Sequence, residues 1–470
     1  MTPRARRPFH VSPTAPAGRP IRPLLIAMLT LATLMPASPA RAGSALGGSS
    51  DSVTRVRWVL SNGMHVLAQH IPDGRGIAIT VGYPGGIDQD PPSRPGLASV
   101  LAELQFTAAA GDVPERSRSE MPSLRPSGYE VRLGRSLTLF TELATRTQVA
   151  GVIHQVATRM RGVQITPQLL AAALESVRAR HRLQYLGSAG VALYNEVPER
   201  ASGVDDAGLA RLTSLSGLEK LGAREAQELV TRAFPSRRAV VSIAGNLEGL
   251  DLRPLVEREL GPLAGGAPQA PPPIRPGRPT LIAVPRAGID RPTGVLGVMA
   301  PALTDSTHPA FYLAALIMGA QADVRWGDPQ PPLMSRFQYG ILEDPDLVRF
   351  YPPLARTDHD PRALSQSFRQ TIGDMDNLVV GDDVVESLRA GVDWLLGGSL
   401  HAAVLAHMRT ESGSLTLLTN SMIEREMNGG DAFWNRYRRR LKEAGVPDLV
   451  YWLAWLNDPN EQVALLYLPR

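Results

Sequence analysis

Residues 261–278 (Gly-Pro-Leu-Ala-Gly-Gly-Ala-Pro-Gln-Ala-Pro-Pro-Pro-Ile-Arg-Pro-Gly-Arg) interrupt the 470-residue chain. Proline locks φ and has no N–H to donate, so this stretch supports neither a regular helix nor a sheet and favours an extended, semi-rigid connection. Length alone allows about three domains, or two larger ones. The linker separates residues 53–260 from residues 279–470.

The first half opens with a hairpin signal. Val53 to Leu60 and Met64 to His70 flank Ser61-Asn62-Gly63, and Asn-Gly tolerates the positive φ that a tight hairpin turn requires. Further strands are expected at Gly76–Gly82, Gly128–Leu133, Ser136–Leu143 and Ala239–Gly245. Helices are expected at Gly96–Ala110, Gln148–Arg161, Pro167–Leu186 and Ala223–Phe234, where apolar residues recur at helical spacing. The second half repeats this broad order: strands at Thr280–Val284 and Gly294–Met299, a helix at His308–Gly319, further strands and helices, and a last strand at Gln462–Leu468. Periodicity alone supports a mixed α/β or α+β chain.

The amino terminus reads as a secretory signal over residues 1–42, followed by a flexible leader at 43–52. A basic region ends at Arg22, an apolar run covers Leu24 to Met35, and Ala40-Arg41-Ala42 has the small-x-small form of a cleavage site. The run is too short for a membrane span of roughly 20 residues, so the mature chain is expected to be soluble and exported to a periplasm. The formal charge of +4 includes six arginines and no acid within residues 1–42, which leaves −2 for the remainder. No basic-stripe argument for nucleic acid or anionic lipid survives that subtraction. The chain has no cysteine, so disulfides, thiolate zinc sites and cysteine nucleophiles are excluded.

The stretch Pro95-Gly96-Leu97-Ala98-Ser99-Val100-Leu101-Ala102-Glu103-Leu104-Gln105-Phe106 resembles the Gly-Leu-Ala-His-x-x-Glu-His-x-x-Phe stretch of the pitrilysin/insulinase family, the inverted-zincin metallopeptidases. In that family two histidines four apart on one helical face bind zinc, and the glutamate before the second is the general base. Here the frame is kept at Gly96, Leu97, Ala98, Leu101 and Phe106, while Ser99 and Glu103 stand at the histidine positions and Ala102 at the base. A methyl group neither binds a metal nor moves a proton. The family's third ligand follows a supporting glutamate by seven residues; Glu175 matches the supporting position and Arg182 then falls on the ligand. An ion pair between Glu103 and an arginine of Arg178–Arg182 is the expected replacement for the metal, with a rearranged Glu103/His181 metal site as the alternative. Leu215-x-x-Leu218-x-x-Leu221 through Phe234-Pro235 to Gly245-Asn246, and Asp290-Arg291-Pro292 with His308 to Gly319, resemble further segments of the same family.

The resemblance implies two homologous pitrilysin-like α+β domains, 53–260 and 279–470, each an antiparallel sheet packed against helices. It also implies that an extended peptide adds as a strand to a sheet edge. Ser136–Thr141, with Leu137 and Leu139, is expected to be that edge, and Arg336 and Tyr339 resemble the family's Arg/Tyr pair from the second domain, at a shorter spacing. No other metal or nucleophile motif stands out. His65 and His70 point to opposite faces of a strand, and His154, His401 and His407 read as surface or core histidines. Gly187-Ser188-Ala189-Gly190 and Ser412-Gly413-Ser414 read as flexible loops rather than nucleophile elbows. The expected function is that of a non-catalytic subunit, itself without cofactor, facing an active zinc-bearing subunit across a peptide-enclosing chamber. A stand-alone homodimeric peptide-binding, holdase-like protein and a peptidase with a non-standard metal site are the rivals.

Overall fold

A computed structural model of the chain describes residues 55–72, 76–116, 129–264, 280–327, 335–340, 344–373, 386 and 412–470. The expected signal, the leader, nearly all of the linker, His401 and His407 lie outside them. The first half builds strands β1 (Arg55–Val59), β2 (His65–His70), β3 (Ile77–Pro84), β4 (Tyr129–Leu133), β5 (Leu137–Ala144) and β6 (Val240–Gly245). Its helices are α1 (Leu97–Thr107), α2 (Val149–Arg161), α3 (Pro167–Leu186), α4 (Ala189–Ala201), α5 (Asp206–Ser214), α6 (Ala223–Ala233) and α7 (Leu252–Leu260). The second half follows with β7 (Thr280–Arg286), β8 (Thr293–Met299), α8 (His308–Trp326), β9 (Phe337–Gly340), β10 (Asp344–Phe350), α9 (Arg362–Gly373), α10 (Ser412–Met427), α11 (Gly430–Glu443), α12 (Val446–Asn457) and β11 (Gln462–Pro469).

Local chemistry places several of these elements. The β1–β2 hairpin turns at Gly63, whose φ is 84°, and Asn62 ties the turn to the end of α7 by donating to the Leu260 carbonyl at 2.8 Å. Helix α3 begins at Thr166, whose hydroxyl accepts from the Leu169 N–H, with Pro167 in the first turn. Ser188 opens α4 rather than a flexible loop, and Ser412 to Ser414 lie inside α10.

The strands form a six-stranded sheet, β1-β2-β6-β3-β5-β4, and a five-stranded sheet, β7-β11-β8-β10-β9. Apart from the extra edge strand β1, the second order repeats the first. The sheets are mixed, not antiparallel as expected. In each, the last strand of the half inserts between two early strands, β6 between β2 and β3 and β11 between β7 and β8, and runs parallel to one of them, β6 with β2 and β11 with β7. Only a strand arriving through long helical connections can pair in this way. Strand β6 is accordingly buried along its whole length.

The two sheets exchange cover. One face of the first sheet carries α1, α2 and α7 over the large core that includes Tyr83, Phe106, Phe140 and Phe234. Its other face is covered by α10 of the second half, through Leu415, Leu418, Met422 and Ile423 against Leu67, Leu139 and Val240. In return α4, from the first half, packs Ala192, Leu193 and Val197 on Val295, Val463 and Leu465 of the second sheet. Glycines at corresponding strands admit these helices. A Cβ at Gly82 of β3 would lie 2.3 Å from Ile423, and one at Gly297 of β8 would lie 2.8 Å from Val197.

Polar groups fix the register of the α10 contact. Thr80 donates to Thr419 at 2.6 Å, and Ser242 donates to the Thr419 carbonyl at 2.8 Å, all buried. At the rim, Glu426 accepts from Arg57 at 2.8 Å and lies 2.5 Å from His65. Burial pushes the Glu426 carboxyl up, but the His65 and Arg57 hydrogen bonds outweigh it and hold it at about 2. A chain cleaved within 265–279 is therefore expected to elute at the mass of the intact protein and to unfold in one transition. Size-exclusion chromatography and thermal denaturation after cleavage at an engineered protease site check this; separation of the two fragments without denaturant would contradict it.

Candidate functional site

The altered motif lies on α1, a helix buried on nearly every side: from Leu97 to Thr107 only Ala98 is partly exposed. A helix in that position must be anchored at its start. Gly96 sits at φ 86°, and a Cβ there would lie 2.5 Å from Leu215 and 3.1 Å from His181. The glycine is required both by its backbone and by the close approach of the imidazole. Asp90 accepts from the Gly96 and Ala98 N–H groups, each at 2.6 Å, and so satisfies the first turn with both carboxylate oxygens. Burial pushes the Asp90 carboxyl up to about 7, against the pull of those two N–H groups. Leu215 is itself at φ 55°, unusual for a branched residue, and is fully buried.

Across from α1, helix α3 presents Ser176, Arg180 and His181. Ser99 at the first histidine position lies 3.1 Å from His181 Nε2, and His181 Nδ1 lies 2.9 Å from the Leu212 carbonyl. A carbonyl only accepts, so Nδ1 carries the proton and Nε2 accepts from the Ser99 hydroxyl. Glu103 at the second histidine position is 3% exposed. Its Oε2 pairs with Arg180 at 2.7 Å and its Oε1 accepts from Ser176 at 3.3 Å. Ala102, at the base position, is a buried methyl in the core. Burial lowers the His181 pKa, with the Arg180 charge adding to it against the bond to Leu212.

These residues do not fit a zinc ion. Ser99 and His181 satisfy each other, and a dication at Glu103 would sit against the Arg180 guanidinium, a repulsion of several kcal/mol even at a moderate dielectric. Among the described residues, no group of three or more His, Asp or Glu side chains is placed to hold a metal. The rearranged Glu103/His181 site therefore lacks the ligands it would need.

The remaining candidates are placed as follows. Arg182, at the aligned third-ligand position, is exposed, and Glu175 is exposed and pairs with Arg178 at 2.6 Å. Arg180 and His181 take the inward position because two residues along a helix rotate the side chain by about 200°. Leu137 and Leu139 lie on β5, which is flanked by β3 and β4 and is not an edge; the edges are β1 and β4. Leu139 is packed under α10. Arg336 is buried and donates to the carbonyls of Trp326, Gly327 and Tyr351, ending α8 rather than facing solvent. Tyr339 is partly exposed on β9, the edge of the second sheet, with its hydroxyl 2.9 Å from His308 Nε2; His308 Nδ1 lies 2.8 Å from the Tyr437 hydroxyl. Sequence reasoning passed over Asp90, Ser176 and His308. Asp90 alone carried a signal, an acid shortly before a helix start.

No sequence-family profile matches the chain, and no curated protein matches it in sequence. Solved structures do match in fold. A protease from Helicobacter pylori superposes with a TM-score of 0.66 at 12% identity, over 89% of this chain and 100% of that one. A peptidase M16 inactive domain from Pseudomonas fluorescens gives 0.61 at 12% identity, over 89% and 98%. The periplasmic protease PqqL from Escherichia coli gives 0.59 at 14% identity, over 90% of this chain and 46% of that one. Pitrilysin itself is among the matches, so the chain has the pitrilysin peptidase fold, and it spans about half the length of PqqL and of pitrilysin.

Removing one partner from a buried ion pair strands the other charge. Arg180→Ala is expected to cost on the order of 3 kcal/mol, and Arg180→Ala combined with Glu103→Leu to recover most of it. Urea denaturation of the two variants checks this; equal stabilities would show that Glu103 does not depend on Arg180 for its burial. His181 makes a separate prediction. Its folded pKa lies below the ordinary 6.5, so as the pH falls below 6.5 the unfolded chain takes up a proton that the folded ring resists, and stability declines until the folded pKa is reached. The difference in stability between the wild type and His181→Gln should be constant above pH 6.5 and shrink below it.

Proposed function

We propose that this chain is a non-catalytic pitrilysin-fold subunit that faces an active zinc-bearing subunit across a peptide-enclosing chamber, in a periplasm. The observation that carries this reading is the core between α1 and α3. Both histidine positions of the motif carry other polar residues, and both of these have partners: Ser99 with His181, and Glu103 with Arg180 and Ser176. Leaving the buried Ser99 hydroxyl or the Glu103 carboxylate without those partners would cost about 1–3 kcal/mol each. The frame of α1 around these positions is ordered and well packed, including Gly96, which admits His181, and Phe106, stacked on Phe140 at 6.0 Å. Such a scaffold suits a part used for its shape. The fold match to an inactive peptidase domain, and to one half of the longer PqqL, supports a place beside a second, catalytic half.

The test is co-expression with a pitrilysin-fold zinc protein encoded beside it. The expected result is a one-to-one complex whose peptidase activity exceeds that of the zinc protein alone, with the zinc carried by the partner. Failure to co-purify, together with full activity of the zinc protein by itself, would overturn the reading. Tight stoichiometric zinc on the purified chain would instead favour a peptidase with a non-standard site.

A further inference from the structure

The surface beside the replaced metal site continues into an apolar strip. Four of the ten large exposed apolar side chains among the described residues fall between Leu183 and Tyr194: Leu183 is 70% exposed, Leu186 64%, Val191 44% and Tyr194 39%. Single exposed apolar residues need no explanation, but a group of them on one corner does. Leu183 follows Ser176 and Arg180 at i+7 and i+3 on α3, so it lies on the same stripe of the helix as the groups that hold Glu103. Leu186 follows one turn further on, and Val191 and Tyr194 stand one turn apart on α4 beyond the Gly187-Ser188 corner.

The strip is held rigid from the second half. Arg286 donates to the Tyr185 and Gly187 carbonyls at 3.1 and 2.8 Å, closing the end of α3 and fixing the corner. Arg349, buried on β10, stacks on the Tyr194 ring at 4.3 Å. These apolar side chains are therefore exposed on pre-set elements rather than on a loop, which lowers the entropy cost of binding something against them. Arg182 adds a charge. It is exposed, next to Leu183 and one turn before Leu186, and no acid among the described residues pairs with it.

We infer that Leu183, Leu186, Val191 and Tyr194 form a docking strip for an extended peptide whose apolar side chains rest on the α3–α4 corner and whose acidic side chain pairs with Arg182. This rests on the peptide-enclosing reading above and adds to it which peptides are held, and where. Apolar contact supplies the affinity, and the arginine discriminates against cationic segments.

The experiment measures binding to the full chain by fluorescence anisotropy. The probes are a short fluorescein-labelled peptide of alternating leucine and serine carrying two glutamates, and its counterpart with lysines in place of the glutamates. The wild type is expected to bind the glutamate peptide about tenfold more tightly than the lysine peptide. Leu183→Asp with Leu186→Asp should weaken binding at least about tenfold, and Arg182→Ala should remove the preference between the peptides. The control, Val450→Asp with Tyr451→Asp at a distant exposed pair, should bind as the wild type does. Unaltered binding by the Leu183/Leu186 variant would overturn the strip while leaving the peptide-enclosing reading in place. No binding of either peptide, with or without a zinc-bearing partner, would overturn both. If the chain instead self-associates and the same two substitutions abolish that association without affecting peptides, the strip is a contact between copies and the assignment fails.

Discussion

The reciprocal crossing of α4 and α10 is the contact on which the rest of the structure depends. Each sheet has two faces to bury, and one face of each is covered by a helix from the other half. Helix α10 closes the first sheet and α4 closes the second. The polar bonds at Thr80, Ser242 and Thr419 then allow one register only, because a helix shifted by a turn would leave buried hydroxyls without partners. The glycines at 82 and 297 set the depth at which the helices seat. Covalent connection through 261–278 thus matters less than this mutual cover. The repeated strand order describes how each half is wound, whereas the crossing describes what is stable.

The crossing also positions the site. Helix α4 leaves α3 at the Gly187-Ser188 corner, and Arg286 of the second half fixes that corner by capping α3. The face that α3 offers to α1 is therefore set partly by the second half. On that face Arg180 and His181 meet Glu103 and Ser99 at distances suited to hydrogen bonds. Zinc in a structural or catalytic site contributes folding free energy as well as chemistry. On the proposed reading, a chain without the ion draws these two helices together in another way. A buried carboxylate with a guanidinium opposite does so, and burial keeps His181 neutral so that it accepts from Ser99 without adding a second cation beside Arg180.

What the sequence made legible was local. The Asn62-Gly63 turn, the helix start at Pro167 and the apolar period of α2 rest on interactions within a few residues, and the structure reproduces those elements to within about two residues. The repeated order of elements was likewise visible on either side of the proline-rich stretch. Long-range pairing was not. Nothing within β6 or β11 marks them as insertions between earlier strands, so the sheets read as antiparallel, and Ser136–Thr141 read as an edge when β4 lies outside it. Composition misled at Gly187-Ser188-Ala189-Gly190, where small residues suggested a loop; Ala189, Ala192, Leu193 and Val197 carry a helical period that only makes sense once the second sheet is there to receive it.

The register of α3 shows the same limit at the scale of one side chain. Counting seven residues from Glu175 leads to Arg182, and the count is arithmetically sound, but both residues lie on the solvent side of the helix. A linear offset transfers a function only if the helix keeps its rotation, and α3 is rotated to bury Ala173, Val177 and His181. The cation that meets Glu103 is therefore Arg180. Arg182 is left outward, beside Leu183 and Leu186. The rotation that removes one arginine from the site of a lost ligand also places it where a bound carboxylate can reach it.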